Sequence, residues 1–107
     1  MIYAVDFDGT LCNNAWPAIG EPNKDLIAFL KERRKNGDKL ILWTMREGYF
    51  LLNAIYWCAD YGLQFDAIND NLQELKDKYH NNPRKVYADV YIDDHNALID
   101  DLLDGGD

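Results

Sequence analysis

The stretch Ile2 to Leu11, Ile-Tyr-Ala-Val-Asp-Phe-Asp-Gly-Thr-Leu, constrains the fold more than any other part of the chain. An apolar run that stops at two aspartates one residue apart reads as a buried strand delivering two carboxylates, Asp6 and Asp8, to its C-terminal edge. In an open parallel sheet, ligands bind in the crevice at the carboxyl ends of the strands, where strand order switches. Gly9 permits a tight exit there that a side chain would obstruct. Two carboxylates this close repel each other unless a cation or donor group lies between them, and a divalent metal is the direct neutraliser. Solvated turn aspartates are the plain alternative. An EF-hand loop fits worse: counted from Asp6, its sixth position is Leu11 in place of Gly and its twelfth is Pro17 in place of Glu.

The rest of the chain alternates between strand and helix patterns. Cys12 to Glu21, with Asn13, Asn14, Pro17 and Gly20, lacks a clear period and reads as a loop over the end of the first strand. Pro22 and Asn23 open a helix with Leu26, Ile27 and Leu30 on one face, ending at Asn36-Gly37. Its Lys31, Arg33, Arg34 and Lys35 cluster complements the helix dipole and is not read as a nucleic-acid patch. Lys39 to Trp43 is a second apolar strand stopping at Thr44. After Arg46 and Gly48, a helix from about Tyr49 to Tyr61 carries Leu51, Ala54, Ile55 and Cys58 on one face. Phe50, Trp57 and Tyr61 lie on its other side, and intramolecular packing is preferred there over a dimer contact.

Gln64 to Ile68 is a short third strand. Asn69-Asp70-Asn71 then caps a polar helix through about His80, anchored by Leu72 and Leu75, and Asn81-Asn82-Pro83 stops it. Val86 to Ile92 leads into a fourth strand that ends at Asp93-Asp94, and His95 to Leu103 reads as a terminal helix. This alternation predicts an α/β fold, a three-layer open parallel sheet with helices on both faces. Right-handed crossovers with a switch at the first strand give the order 3-2-1-4. Asp6, Asp8, Asp93 and Asp94 then converge, Thr44 arrives from the second strand, and Lys85 stands at the same sheet edge.

Length and composition bound the function. At 107 residues the chain makes one domain, 1–107, with 104–107 expected to fray. Hydrophobic residues at 48% and aromatics at 13% are too rich for disorder. A net charge of -8 disfavours nucleic acid and anionic membranes, because affinity for phosphate polymers rests on Lys and Arg. Cys12 and Cys58, without CxxC spacing, read as free thiols of a reducing compartment, neither of them the nucleophile. No signal peptide is read at the N-terminus, and Tyr49 to Leu63, broken by Asn53 and Asp60, falls short of the roughly 20 apolar residues of a spanning helix. A cytoplasmic location is the expectation.

Taken together, these residues resemble the haloacid dehalogenase-like (HAD-like) superfamily, with a Rossmann-like core. Asp6-Phe7-Asp8-Gly9-Thr10-Leu11 looks like its first motif, Leu40 to Thr44 like its second and Ile92-Asp93-Asp94 like its fourth, while Lys85, eight residues before Asp93, resembles the third-motif lysine. The resemblance covers essentially the whole chain. The Leu-Ile-Leu-Trp-Thr-Met-Arg-Glu-Gly segment further resembles small bacterial and phage members with little characterised function. The resemblance implies a Mg-dependent phosphomonoester hydrolase. Asp6 would be the nucleophile that forms an aspartyl-phosphate, and Asp8 the acid/base. Mg2+ would be held by Asp6, the Asp8 backbone carbonyl and Asp93, with Asp94 as a ligand or behind one. Thr44 and Lys85 would hold the transferred phosphoryl group. Arg46 itself reads either as a further substrate contact or as a helix-entry arginine paired with Glu47 or another surface acid.

An acid at Asp8 favours a phosphatase over the family's transport ATPases and metal-independent dehalogenases. Neither the interval from Leu11 to Leu40 nor that from Thr44 to Lys85 holds a cap domain, so the site is expected to be open unless a second copy in a homo-oligomer covers it. The substrate would be a phosphorylated small molecule or the exposed phosphate of a larger one. Two rivals come from other classes. A receiver-type phosphoacceptor domain places its acid pair after the first strand and its acceptor after the third, whereas here the adjacent pair follows the fourth strand. A catalytically weak HAD-like binding or regulatory module would keep the fold and metal site without turnover.

Overall fold

The computed structural model describes residues 1–70, 72–73 and 87–93. The described chain runs β1 (Ile2–Val5), β2 (Cys12–Ala15), β3 (Ala18–Pro22), α1 (Lys24–Lys35), β4 (Lys39–Leu42), α2 (Gly48–Asp60), β5 (Ala67–Ile68) and β6 (Val90–Ile92). The expected helix through His80 with its anchor Leu75, together with Lys85, Asp94, the terminal helix from His95 and the tail 104–107, lie outside the described residues.

β1 is one of the two inner strands of a four-stranded parallel sheet. Val5 aligns with Leu42 of β4 on one side and with Ile92 of β6 on the other, and β5 pairs with β4 beyond. A strand hydrogen-bonded on both sides and covered on both faces has no polar side to present, which is why Tyr-Ala-Val reads as continuous apolar residues. Counted along the chain, the sheet order is β5-β4-β1-β6 in place of the expected 3-2-1-4. β2 and β3, which the sequence pattern presents as loop, take numbers of their own.

Side-chain alternation divides the core in two. Tyr3, Val5, Leu40 and Leu42 join Leu26, Ile27 and Leu30 of α1 and Ala54 and Cys58 of α2 in one buried cluster. Ala4 and Ile41 face the other way and are covered by Leu72 and Ala88. Each fully buried Leu or Ile of this set contributes about 1.5–3 kcal/mol against leaving it in water.

α1 begins where Asn23 caps it, its side-chain oxygen accepting from the Leu26 amide at 3.2 Å. Arg33, Arg34 and Lys35 occupy the last turn, where cations complement the carbonyl end of the helix. Arg34 also bonds Asp66 Oδ1 at 3.2 Å, while Asp66 Oδ2 accepts from the Leu40 amide at 2.8 Å. Arg34 thus ties the end of α1 to the residue that bonds the Leu40 amide of β4.

One expectation is corrected. The segment from Cys12 to Glu21 is an antiparallel hairpin of β2 and β3, with Asn14 opposite Ile19 and Ala15 opposite Ala18. Its polar, bulged strands lack the alternation that marks a half-buried strand. Gly20 lies so close to the Asn13 carbonyl that any Cβ there would collide with it. On α2, Phe50, Trp57 and Tyr61 pack within the chain as expected, Phe50 against Trp16 at 4.9 Å. Trp57 packs edge-to-face on Phe7 at 5.4 Å and tilts against Tyr61 at 4.7 Å, but Tyr49, Leu52 and Tyr56 are exposed. Among the described residues no helix is long and apolar enough to cross a membrane.

Candidate active site

Three strand ends meet where β1 stops. The Asp6 amide donates to the Ile92 carbonyl at 2.9 Å and the Trp43 amide to the Val5 carbonyl at 2.8 Å, fixing the ends of β6 and β4 beside the first aspartate. The cleft that opens there, about 410 Å³, is lined by Asp6, Trp43, Thr44, Met45, Asn69 and Asp93. Asp6, Thr44 and Asp93, picked out from three separate strand ends, thus share one cavity. Asp6 Oδ1 also accepts from the Phe7 amide at 2.8 Å, which orients its carboxylate along the exit of the strand.

Asn69 was not among the expected site residues. It follows β5 with φ of +51°, a left-handed conformation that Asn tolerates better than other side chains. Its Oδ1 accepts from the Thr44 amide at 2.7 Å and its own amide donates to the Leu42 carbonyl at 2.7 Å. Asn69 therefore sets the loop that carries Thr44. Asn69→Ala is expected to destabilise the fold by about 1–3 kcal/mol, from the unfavourable φ and the unpaired Thr44 amide together. Asn69→Gly relieves the φ strain only, so it should cost less than Asn69→Ala. Urea unfolding midpoints for the two variants check the order.

Asp8 is turned to a different partner. Its two carboxylate oxygens accept from Arg46 Nε at 2.8 Å and Arg46 Nη2 at 2.7 Å. The Arg46 side chain is 1% exposed and that of Asp8 21%. Arg46 Nη2 also donates to the Ala18 carbonyl at 3.0 Å, and the guanidinium carbon lies 5.0 Å from the Phe7 ring centre and 4.8 Å from that of Trp16. The hydrogen bonds with Asp8 hold the guanidinium above its ordinary pKa, outweighing the burial that pulls the other way. The sequence reading left Arg46 between a substrate contact and a pairing with Glu47 or another surface acid. The structure pairs it with an acid, but the acid is Asp8 and the guanidinium is buried against the hairpin rather than at the surface, because a planar five-donor fork fits a carboxylate and two carbonyls better than it tolerates unpaired burial.

Lys85 and Asp94 lie outside the described residues. Asp6 and Asp93 line one cleft, and the Asp8 carbonyl is near Asp6 in the chain. Such oxygens suit magnesium, which binds through one or two carboxylates, waters and a substrate phosphate. Among the described residues no three His, Cys, Asp or Glu side chains group closely enough to hold a metal by themselves.

The chain is 37% identical to a protein of solved structure described as a conserved protein coded by a locus from Bacteroides thetaiotaomicron. The likeness covers 97% of this chain and 87% of that one, with a TM-score of 0.84. The chain belongs to the family of that protein. No family model matches the chain, and no curated protein matches it either.

Neither cysteine lines the cleft. Cys12 and Cys58 are both buried. Burial is the first cause that pushes the Cys58 thiol up to about 12, with Cys12 adding to it, and burial also raises Cys12. A nucleophilic cysteine needs the opposite, a thiolate favoured near neutral pH. The cleft at Asp6 is where carboxylates, a hydroxyl and solvent access coincide.

Proposed function

We propose that this chain is a Mg-dependent phosphomonoester hydrolase of the haloacid dehalogenase-like type, a capless three-layer domain working through an aspartyl-phosphate on Asp6. The observation that carries the reading is the common cleft of Asp6, Thr44 and Asp93 at the carboxyl ends of three parallel strands. The motif resemblance supplies the roles.

An Asp6 carboxylate oxygen attacks phosphorus as the ester P–O bond breaks, and Asp8 gives its proton to the departing oxygen. Asp8 then takes a proton from water, which attacks the same phosphorus. The P–O bond to Asp6 breaks, and inorganic phosphate leaves with Asp6 restored. Thr44 and Lys85 hold the phosphoryl oxygens through this exchange. Magnesium, held by Asp6, the Asp8 carbonyl and Asp93 with Asp94 beside them, would screen the anionic phosphate from the anionic nucleophile. The substrate is a phosphorylated small molecule or a phosphate projecting from a larger one, since nothing encloses the cleft in the manner of a cap domain among the described residues.

Inorganic phosphate release from a panel of phosphomonoesters, with Mg2+ and after its removal by chelation, tests the reading. Turnover that needs Mg2+ is expected. If no ester is cleaved while beryllofluoride still binds in a Mg-dependent way, the chain is a binding or regulatory module of the same fold.

A further inference from the structure

An arginine in a loop between a strand and a helix ordinarily lies on the surface with its head in water. Arg46 is instead only 2% exposed, and each group it contacts belongs to a different part of the fold. Nε and Nη2 take both oxygens of Asp8, on the loop after β1. Nη2 also takes Ala18 of the hairpin, and Nη1 reaches the Phe50 carbonyl in the first turn of α2 at 3.4 Å. The Arg46 amide donates to Thr44 Oγ1 at 3.1 Å, so the loop that carries the arginine is the one that carries the cleft hydroxyl. Trp16, at the turn of the hairpin, lays its ring over the guanidinium and against Phe50 at 4.9 Å.

A buried ion pair is a poor device for stability alone, because well-packed apolar residues of similar volume do as well or better. What the two-point grip of a planar fork supplies is direction. On the reading of Asp8 as the acid/base, we propose that Arg46 is a positioning residue: it fixes the direction of the Asp8 carboxylate and makes that direction depend on hairpin β2–β3. Arg46 does not reach substrate in this arrangement. The hairpin therefore acts on the chemistry through Arg46, as a mount for the carboxylate, and Trp16 helps keep the guanidinium seated.

Steady-state kinetics of Arg46→Lys, Arg46→Gln and Trp16→Ala, each on p-nitrophenyl phosphate and on an alkyl phosphate, separate this role from others. Misplacing Asp8 should lower kcat by about 10- to 100-fold for the Arg46 variants, with KM within about threefold. The loss should be greater on the alkyl ester, because its leaving oxygen needs a proton that nitrophenolate does not. Trp16→Ala, changed at a half-exposed ring, should show the same pattern more weakly while remaining folded. A rise in KM at constant kcat would make Arg46 a substrate contact and overturn the assignment, as would a smaller loss on the alkyl ester than on the nitrophenyl ester.

Amide hydrogen exchange tests the mount without any turnover. Exchange in the hairpin, Cys12 to Pro22, should quicken in Arg46→Gln and in Asp8→Asn but not in Asp6→Asn. Hairpin exchange unchanged in Asp8→Asn overturns the coupling even if the phosphatase reading itself fails. Conversely, normal wild-type turnover with Arg46→Gln behaving as wild type would sink the positioning role and leave the phosphatase reading standing.

Discussion

Asp6→Asn is expected to abolish phosphate release, by at least about 10³-fold, and to leave no phosphoryl group on the protein after an acid quench. The amide keeps the size of the carboxylate and an oxygen for the Phe7 amide, so the strand exit at 2.8 Å from that nitrogen can persist. What it lacks is a charged oxygen able to displace the ester. Asp8→Asn should fail differently. The nucleophile is intact, so an activated ester such as p-nitrophenyl phosphate can still load Asp6, but no base deprotonates the water that clears it. The phosphorylated protein should then accumulate, visible by intact mass. Alkyl phosphates, whose leaving oxygen needs a proton, should stall before loading. Because Asp8→Asn leaves Arg46 buried without its charged partner, the comparison belongs well below the variant's unfolding temperature. Full activity in Asp6→Asn would move the nucleophile elsewhere, and full turnover in Asp8→Asn would remove the acid/base from that position.

Much of this arrangement was legible in the sequence for one physical reason: it is built from buried strands that end abruptly. β1 and β4 announce themselves as apolar runs, and α1 by Leu26, Ile27 and Leu30 between an Asn cap and a glycine turn. The chemistry-bearing residues Asp6, Thr44 and Asp93 sit at the stops, so a parallel sheet brings them to one edge. The hairpin was not legible, because Cys-Asn-Asn-Ala carries neither alternation nor a two-residue turn signal. Nor was the inward turn of Arg46. Next to Glu47 and Gly48 it reads as a surface residue, and only the distant contributions of Asp8, Ala18 and Phe50 make burial tolerable. Asn69 had a signal that went unused. An Asn just after a short apolar run is a residue that can adopt positive φ and bond its neighbours' amides, and it does both here.

The residue between the two aspartates should govern stability as strongly as they govern chemistry. Phe7 is fully buried, meets Trp57 edge-to-face at 88°, and lies beneath the Arg46 guanidinium. Its carbonyl accepts from the amides of Thr10 and Leu11 at 3.1 and 3.0 Å, closing the turn that holds Asp8. Phe7→Ala removes the ring from a site bounded by β1, α2 and a buried cation, which cannot all collapse inward. A loss of about 3–5 kcal/mol is expected, against a total of about 5–15 kcal/mol for a domain of ordinary stability. Urea unfolding should show it as a lower midpoint at unchanged slope. Phe7→Leu restores most of the volume but not the π face under Arg46, a contact worth about 0.5–2 kcal/mol. It should recover most of the stability while lowering kcat, since the ring supports the arginine that grips Asp8. A cost below about 1 kcal/mol for Phe7→Ala would mean the strand exit does not pack as described, because no buried aromatic in such surroundings is removed so cheaply.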